Sequence, residues 1–481
     1  MSARIIDGRV YDAEAEARAL RAAAAEEVAA ARAEAAAARA TAEREAARAE
    51  AARAEAARIR AEAGLGPGDG VVTAVVGLLC RGRCAGVTVG EIVRIARGGA
   101  AVDDLLAEVV GFRDGEVVLL PLGELAGIAP GAAITATGAP LAFPCGPEVL
   151  GRVLDGLGRP LDGEPVAAPP WPVERAAPSP ASRPPIARPL VTGLRVIDGL
   201  LTLGEGQRVG VFAAAGVGKS TLLSQLARTA AADVIVLGLV GERGRELGDW
   251  LAALGPARAR TVVVCATSDA PSLVRVRAAS TATAVAEHFR DRGARVLLVV
   301  DSLTRVARAQ REVGLSAGEP PARHGYPPSV FALLPRLVER TGTAATGSIT
   351  AIYAVLVAGD DLDEPIADEV RGIVDGHVVL DRRLAQRGHF PPVDVLASVS
   401  RLFERLASAP QREAAARLRG WLARYEEQRD LIHLGAYKAG TDRRLDEAIA
   451  RQPAIEAFLR QRADEVSAED DTRAALAALA R

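Results

Sequence analysis

The segment Ala213–Ser220, with the sequence AAAGVGKS, could bind the phosphate groups of a nucleotide. Gly216 and Gly218 let backbone N–H groups come close to phosphate oxygens, and a helix that begins after the loop favours an anion at its N-terminus. Lys219 is one of only two lysines among 59 basic residues. A compact ammonium fits beside phosphate oxygens where the wider guanidinium of arginine does not, so the rare lysine here predicts phosphate binding.

The residues around this lysine extend the predicted site. Ser220 carries a hydroxyl that can coordinate Mg²⁺, and Val217 and Thr221 complete the stretch that we expect to contact the nucleotide. The usual pattern of such loops, GxxxxGK[ST], has glycine where this chain has Ala213. That difference matters only if the backbone at this position needs a positive φ, which alanine adopts with difficulty.

Two acidic residues follow predicted strands further along the chain. Asp301 comes after the apolar run VLLVV, where it would either anchor Mg²⁺ beside the phosphate loop or only cap the strand. Glu242 follows another strand within VGER and could polarise the water that attacks a γ-phosphate. The alternative for Glu242 is an ordinary ion pair with Arg243 in an accessible loop, and the spacing alone does not decide between the two.

A parallel sheet would bring these residues together. Over residues 191–405 apolar strands alternate with predicted helices, which is typical of a mostly parallel sheet covered on both faces. The strands that we expect are Arg208–Phe212, Val234–Val240, Thr261–Ala266, Val296–Val300 and Ser348–Val357.

Two regions precede this domain. Residues 1–65 form a predicted arm, in which residues 12–63 are almost entirely Ala, Glu and Arg and predict one long helix. That helix is either solvated and partly frayed, or an arm that binds a partner or associates weakly with itself. Residues 66–165 predict a small β-barrel from short β-branched runs separated by glycine. Its expected strands are Val71–Leu79, Gly86–Ile95, Ala107–Phe112, Glu116–Leu120 and Ala133–Thr137, with Arg113–Gly115 as a hairpin turn.

The remaining segments connect and complete the domains. Residues 166–190 are rich in proline and predict an extended connector on the surface of the next domain. Residues 406–481 predict amphipathic helices, because Leu418, Trp421 and Leu422 recur at helical spacing.

Composition excludes several classes of function. The net charge of −2 and the 3% aromatic content give little reason to expect nucleic-acid binding. No uncharged apolar run reaches the ~18 residues of a membrane span. Asp7 and Asp12 stand where a signal peptide needs an apolar core. We therefore expect a soluble, cytoplasmic protein that binds no nucleic acid.

Six motifs along the chain are informative together. They are GRVLDGLGRPLDG (151–163), AAAGVGKS (213–220), GLVGERGRE (238–246), DSLTRVARAQRE (301–312), GEPPARHGYPPSVF (318–331) and GDDLDEPIAD (359–368). The chain thereby resembles the ATPases of type III protein export systems, flagellar or injectisome, which are relatives of the catalytic subunit of rotary ATP synthases. The resemblance covers roughly residues 70–460, and alanine at the position of Ala213 also occurs in that family.

The resemblance implies a fold and a set of site residues. The fold is multidomain α/β, with a RecA-like P-loop ATPase core, an N-terminal β-barrel, a C-terminal helical domain and, in this chain, an additional N-terminal helix. ATP and Mg²⁺ are the implied cofactors. Glu242 matches the glutamate that orients the attacking water, and Arg401 matches the arginine finger that reaches into the neighbouring subunit's site. Phe390 matches a position, usually tyrosine, that stacks on adenine. The implied catalytic set is Lys219, Glu242, Arg243, Asp301 and Arg401.

The resemblance also implies partners. The assembly would be a homohexamer with active sites between subunits and with the barrels forming a ring. The C-terminal helices would meet export chaperones and cargo, and the protein would associate peripherally with the inner-membrane export gate. The arm of residues 1–65 departs from the family, whose members usually begin near the barrel. It looks like the stator-like regulatory protein that binds these ATPases, fused here to the chain.

Two other functions compete with this one. A hexameric RNA translocase could use the same core, but the near-neutral charge and the aromatic-poor barrel oppose it. A nucleotide-binding structural subunit would not hydrolyse ATP, and the presence of Glu242, Asp301 and Arg401 together argues against it.

Overall fold

The computed structural model describes residues 4–6, 9–11, 69–98, 103–357, 359 and 361–481. Two short strands, β1 (Arg4–Ile6) and β2 (Arg9–Tyr11), pair antiparallel with each other. The predicted arm thus contains a strand pair before residue 12, where β-branched and aromatic residues such as Ile5, Val10 and Tyr11 favour strands. The helix predicted for residues 12–63 lies outside the described residues.

A closed barrel of six strands confirms the predicted β-barrel. Its strands are β3 (Asp69–Val76), β4 (Leu79–Cys84), β5 (Glu91–Ile95), β6 (Leu105–Arg113), β7 (Glu116–Pro121) and β8 (Ala133–Pro140). Around the barrel the order is β3-β4-β7-β6-β5-β8. Two of the predicted strands were wrong in their bounds. The run Val71–Leu79 is divided by a turn at residues 77–78, and the strand expected from Gly86 begins only at Glu91.

Five short strands follow the barrel in the sequence and precede β14. They are β9 (Ala142–Pro144), β10 (Val153–Asp155), β11 (Pro170–Pro172), β12 (Pro189–Leu190) and β13 (Leu203–Gly204). β11 pairs antiparallel with β9, and β12 pairs antiparallel with β13. The proline-rich segment thus contributes edge pairings, which proline permits because such strands need few backbone donors.

The central sheet has nine strands, among them β10. The other eight are β14 (Arg208–Ala213), β15 (Val234–Glu242), β16 (Thr261–Thr267), β17 (Arg295–Asp301), β18 (Gly342–Thr343), β19 (Ser348–Leu356), β20 (Gly376–Leu380) and β21 (Val393–Ser400). The main order is β10-β16-β15-β17-β19-β14-β20-β21, with β18 paired to β19. Neighbouring strands are parallel except for β20 with β21 and β18 with β19.

Helices flank the sheet and complete the C-terminal region. They are α1 (Arg195–Leu200), α2 (Lys219–Thr229), α3 (Gly244–Leu254), α4 (Ser272–Arg290), α5 (Leu303–Ser316), α6 (Pro328–Glu339), α7 (Pro365–Ile373), α8 (Arg382–Gln386), α9 (Phe403–Leu406), α10 (Ala409–Glu427), α11 (Arg429–His433), α12 (Arg443–Leu459) and α13 (Glu469–Leu479). Among the described residues, no helix is long and apolar enough to cross a membrane.

Alternate residues of one strand show how the sheet separates two cores. Val236 of β15 belongs to the core that includes Val285 of α4 and Val306 of α5. The next residue, Leu237, belongs to the core that includes α2 and residues of the C-terminal helices. Because side chains alternate between the two faces of a strand, an apolar residue at every position requires helices on both faces. The resulting α/β fold confirms the predicted fold class.

Candidate active site

The phosphate loop, Glu242 and Asp301 lie at the ends of parallel strands of one sheet. The phosphate loop follows β14, Glu242 ends β15 and Asp301 ends β17. These strands run in the same direction within one sheet, so their carboxyl ends meet at the same edge. The sheet thereby brings together residues that are up to 88 positions apart in the sequence (Ala213 to Asp301).

The phosphate loop has the backbone that an anion site requires. Gly216 has a φ of 78° and Gly218 a φ of 105°, values that favour glycine strongly over other residues. A Cβ atom at Gly216 would have no neighbour within 4 Å among the described residues. Ala213 is the last residue of β14, where extended backbone suits alanine. The departure from the usual loop pattern is therefore compatible with this backbone.

The side chains after the glycines have distinct positions. Val217 is buried in the core, so its backbone N–H and not its side chain is available to a ligand. Ser220 and Thr221 are exposed in the first turn of α2. Their hydroxyls are accessible at the helix N-terminus, which carries a partial positive charge.

Lys219 and Asp301 are in direct contact. The Nζ atom of Lys219 pairs with Oδ1 of Asp301, and both side chains are buried. The second carboxylate oxygen of Asp301, Oδ2, is buried without a hydrogen-bond partner among the residues that the structure describes. A buried carboxylate oxygen without a partner is costly, and a bound ligand that supplies one would remove that cost.

Glu242 is buried at the end of β15, with only 6% of its surface exposed. Its Oε2 lies 3.1 Å from Nη2 of Arg305, and Arg305 also donates a hydrogen bond to the carbonyl oxygen of Gly241. Arg243 is exposed at the start of α3. The structure therefore pairs Glu242 with Arg305 of α5, and the ion pair with Arg243 that the sequence left open is not the one present.

The surroundings of Glu242 favour its protonated form. Burial raises the pKa of Glu242 to about 8, and a hydrogen bond with Glu246 and the negative charge of Asp301 add to this rise. The positive charges of Lys219 and Arg305 oppose it. A carboxyl group with such a pKa is typical of residues that take part in proton transfer near neutral pH.

Phe390 lies against the phosphate loop. A Cβ atom added at Gly218 would lie 3.5 Å from the Cε1 atom of the Phe390 ring, so the ring is close to the backbone of the loop. Nearly half of the Phe390 surface (47%) is exposed. The ring is therefore available for stacking close to where phosphates would bind.

Arg401 lies away from the other predicted residues. It follows Ser400, which pairs with Gly376 at the start of β20, whereas the other end of β20, Leu380, pairs with Ala213 at the phosphate loop. Four residues of strand separate those two ends by about 13 Å. Arg401 is exposed, and its Nη2 atom lies 3.4 Å from the carbonyl oxygen of Arg371. Within one chain, Arg401 is thus at the opposite edge of the sheet from Lys219.

The sequence analysis did not single out Arg305, which contacts Glu242. A signal for it was present, since Arg305 lies one helical turn after Asp301 in the motif DSLTRVARAQRE. At that spacing the first turn of α5 places Arg305 beside the neighbouring strand end, where Glu242 lies.

The site fits a magnesium nucleotide. Flexible glycines, an exposed hydroxyl at the start of α2 and a buried carboxylate oxygen without a partner supply the donor set that Mg²⁺ and phosphate groups prefer. Lys219 supplies the positive charge that phosphate oxygens need. We find no residue in the described site whose charge or position would prevent such binding.

Two family models match this chain. The model described as the ATP synthase alpha/beta family, nucleotide-binding domain, matches residues 193–400. The model described as the T3SS EscN ATPase C-terminal domain matches residues 407–478.

Close relatives cover most of the chain. A flagellum-specific ATP synthase of Bacillus subtilis (strain 168) is 48% identical over 414 residues, which are 85% of this chain and 94% of that protein. A type 3 secretion system ATPase of Xanthomonas euvesicatoria is 50% identical over 408 residues, which are 84% of this chain and 92% of that protein.

Solved structures agree with these relatives. The assembled ATPase EscN of the enteropathogenic E. coli type III secretion system has a TM-score of 0.82 and 42% identity, covering 86% of this chain and 100% of that chain. The assembled EscN in complex with its central stalk EscO has a TM-score of 0.79 with the same identity and coverage.

Proposed function

Because the chain belongs to the family of flagellar and type III secretion ATPases, we propose that it hydrolyses ATP to drive or prime protein export through a type III apparatus, releasing chaperones and unfolding cargo. One observation carries this proposal. Lys219 of the phosphate loop contacts Asp301 at the end of β17, with Glu242 at the next strand end. One edge of the sheet thereby carries three groups suited to hydrolysis. Lys219 offers a positive charge to phosphates, Asp301 a carboxylate to a metal ion, and Glu242 a carboxylate to water.

Nucleotide binding is assigned to the loop and to Phe390. Backbone N–H groups of residues 216–221 would bind the phosphates, and the N-terminus of α2 would stabilise their charge. Lys219 would exchange its contact with Asp301 for phosphate oxygens. Adenine would stack on Phe390, because the ring is exposed and lies beside Gly218.

Ser220 and Asp301 would hold Mg²⁺, directly or through water. When bound, the ion would screen the charge of the phosphates and orient them. The pairing between Lys219 and Asp301 keeps both side chains at the same point of the site.

Water activation is assigned to Glu242. Its carboxylate, held by Arg305, would orient the attacking water and accept its proton as the water oxygen bonds to the γ-phosphorus. The bond from that phosphorus to the β–γ bridging oxygen would break at the same time, with ADP as the leaving group. Arg243 follows Glu242 directly and is exposed at the start of α3, where its charge would contact an anionic ligand or a neighbouring subunit.

Arg401 is assigned to the site of a neighbouring subunit. It lies on the opposite edge of the sheet from its own phosphate loop, so its guanidinium does not serve the site of its own chain. In a ring of identical subunits, one edge of each subunit meets the other edge of the next. The exposure of Arg401 and the assembled state of EscN support a homohexamer in which Arg401 stabilises the developing charge in trans.

Partners follow from the same family. The complex of EscN with its central stalk supports a stalk-like or stator-like regulatory partner for this chain. We assign the C-terminal helices to export chaperones and cargo, and we place the assembly peripherally at the inner-membrane export gate. The match of residues 407–478 to the C-terminal domain of type III secretion ATPases supports the first assignment.

Two variants test the division between binding and hydrolysis. Lys219→Ala should weaken ATP binding at least about tenfold, because phosphate charge loses its partner. Glu242→Gln should bind ATP but release phosphate about 10²- to 10⁴-fold more slowly, because only water activation is lost. Calorimetric binding and phosphate release would be measured on both proteins.

The other lysine provides a matched control. Lys438 is exposed between α11 and α12, so Lys438→Ala should bind and hydrolyse ATP as the unmodified protein does. Near-normal turnover by Glu242→Gln would contradict the assignment of Glu242.

A further inference from the structure

A short segment between α12 and α13, residues 460–467, lies on the nucleotide-binding domain. We call it the strap. Its first contact is with α2, the helix that follows the phosphate loop. Gln225 of α2 donates hydrogen bonds to the carbonyl oxygens of Arg462 (3.2 Å) and Glu465 (3.1 Å), and Arg228 donates to that of Ala463. Three backbone carbonyls of the strap are thereby tied to the helix that would hold the phosphates.

Arg195 ties the strap to the start of α1. Its backbone N–H donates to Oε1 of Gln461 at 2.8 Å, and its Nε donates to the carbonyl oxygen of Phe458 at 2.9 Å. Its guanidinium also contacts the carbonyl oxygen of Arg460 and pairs with Glu465. Charge-assisted bonds of this kind are about twice as strong as neutral ones, so this end of the strap is firmly held.

Gln461 connects these contacts to the aromatic ring of the site. Its side chain is 4% exposed, and its Nε2 donates to the carbonyl oxygen of Gly193 at 2.7 Å. Its backbone N–H donates to the carbonyl oxygen of Phe390 at 2.9 Å. The preceding residue makes a parallel contact, since Nε of Arg460 lies 3.4 Å from Nδ1 of His389. The strap thus holds the backbone that carries Phe390.

We propose that Gln461 is a positioning residue for the nucleobase, and that the strap fixes the distance between the base and the phosphate subsites. This inference rests on the proposed stacking of adenine on Phe390. The phosphates are assigned to the start of α2 and the base to Phe390, and the strap is bonded to the second half of α2 and to the backbone of Phe390. Because the strap continues from α12, a displacement of the C-terminal helices would move the strap and, through the bond to Phe390, the base subsite.

The test compares a nucleotide with a ligand that lacks the base. Gln461→Ala removes all three hydrogen bonds of the Gln461 side chain, with the backbone of Arg195, Gly193 and Glu465, and so loosens the strap. The variant should bind ATP about tenfold more weakly, and its KM should rise by the same factor with kcat changed less than about twofold. Its affinity for inorganic tripolyphosphate should be unchanged, because the phosphate loop keeps its geometry. Gln452→Ala on α12 is the matched control and should change none of these values.

Further variants distinguish a wrong role for Gln461 from a wrong assignment of Phe390. If Gln461→Ala weakens ATP and tripolyphosphate equally, or weakens neither, the positioning role is wrong. Phe390→Ala should show the same base-dependent loss. If it does not, the proposed stacking is wrong, whatever Gln461 does. Gln461→Glu keeps the acceptor for the N–H of Arg195 but places a buried carboxylate oxygen against the carbonyl oxygens of Gly193 and Glu465, so its base-dependent loss should be at least as large as that of Gln461→Ala.

Discussion

Burial and several neighbouring groups set the pKa of Glu242. Burial has the largest effect, and Glu246 and Asp301 add to it, so that the pKa is about 8. Lys219 and Arg305 act in the opposite direction. A general base works only when ionised, so the fraction of protein with an active Glu242 should rise as the pH rises through this pKa.

The pKa of Glu242 predicts the pH profile of hydrolysis and two opposite shifts of its midpoint. For the unmodified protein, kcat/KM should rise with a midpoint near the pKa of about 8. Arg305→Gln removes a charge that lowers the pKa, so the midpoint should move to higher pH. Glu246→Ala removes a hydrogen bond that raises the pKa, so the midpoint should move to lower pH. Steady-state hydrolysis across pH measures all three, and shifts of the same sign in both variants would contradict the assignment.

Individual residues differ in how far the sequence predicts them. Lys219 and Asp301 are predictable because a phosphate loop and the end of an apolar strand are local patterns. The sequence analysis named Phe390 only through the family resemblance, because its contact with Gly218 spans 172 positions (218 to 390). The spacing of Arg305 after Asp301 is a local signal, but its contact with Glu242 also depends on which strand lies next to β17, and no local pattern carries that information.

The barrel and helix α4 are joined through one arginine. Arg277 of α4 donates from Nε to Oε2 of Glu108 on β6 at 2.9 Å, and from Nη1 to Oε1 of Glu174 at 2.6 Å. The side chains of Arg277 and Glu108 are only 14% and 10% exposed. A buried charge left without its partner is strongly destabilising, so this pair holds the barrel against the helix.

Removing that arginine should therefore destabilise the protein. Arg277→Ala leaves Glu108 buried and unpaired and should lower the free energy of unfolding by about 3–5 kcal/mol, measured in urea. Combining Arg277→Met with Glu108→Gln should restore part of this loss, because no unpaired charge remains. Arg159→Ala is the control, since Arg159 is 62% exposed in its pair with Asp155 and should have a much smaller effect. Equal losses in both single variants would exclude a structural role for the buried pair.

Strands and turns could be predicted where residues within the turn itself favour it. The hairpin at Arg113–Gly115 is confirmed, with Arg113 opposite Glu116, because Asp-Gly favours a tight turn. The turn at residues 77–78 was missed because apolar residues stand on both sides of Gly77, although this glycine adopts a positive φ of 60°. Strands β20 and β21 were also missed. Polar residues such as His377 and Asp394 interrupt them, and only pairing at the end of the sheet makes them strands.

The position of Arg401 bears on the assembly as well as on the single chain. Within one chain, the phosphate loop and Arg401 lie at opposite edges of the sheet. A closed ring of identical subunits joins two different surfaces of each subunit at every interface, and the proposed trans arrangement requires that these two edges meet there. Each active site would then need residues from two chains, and hydrolysis would depend on assembly.

Mixing two inactive proteins tests that dependence. Lys219→Ala and Arg401→Ala should each hydrolyse ATP very slowly alone, because an arginine finger contributes about 10³- to 10⁵-fold. In an equal mixture that exchanges subunits, an interface is complete when an Arg401→Ala chain supplies Lys219 and a Lys219→Ala chain supplies Arg401. Random assembly makes roughly one quarter of the interfaces complete, so hydrolysis should recover up to that fraction and rise with protein concentration.

The control uses a chain that carries both substitutions. Mixed with Lys219→Ala, the double variant Lys219→Ala/Arg401→Ala offers no intact phosphate loop, so no interface is complete and hydrolysis should stay low. Recovery in the first mixture but not in this one requires a lysine and an arginine from different chains. An Arg401→Ala protein that assembles and retains unmodified turnover would contradict the trans arrangement, because no developing charge in any site would then depend on Arg401.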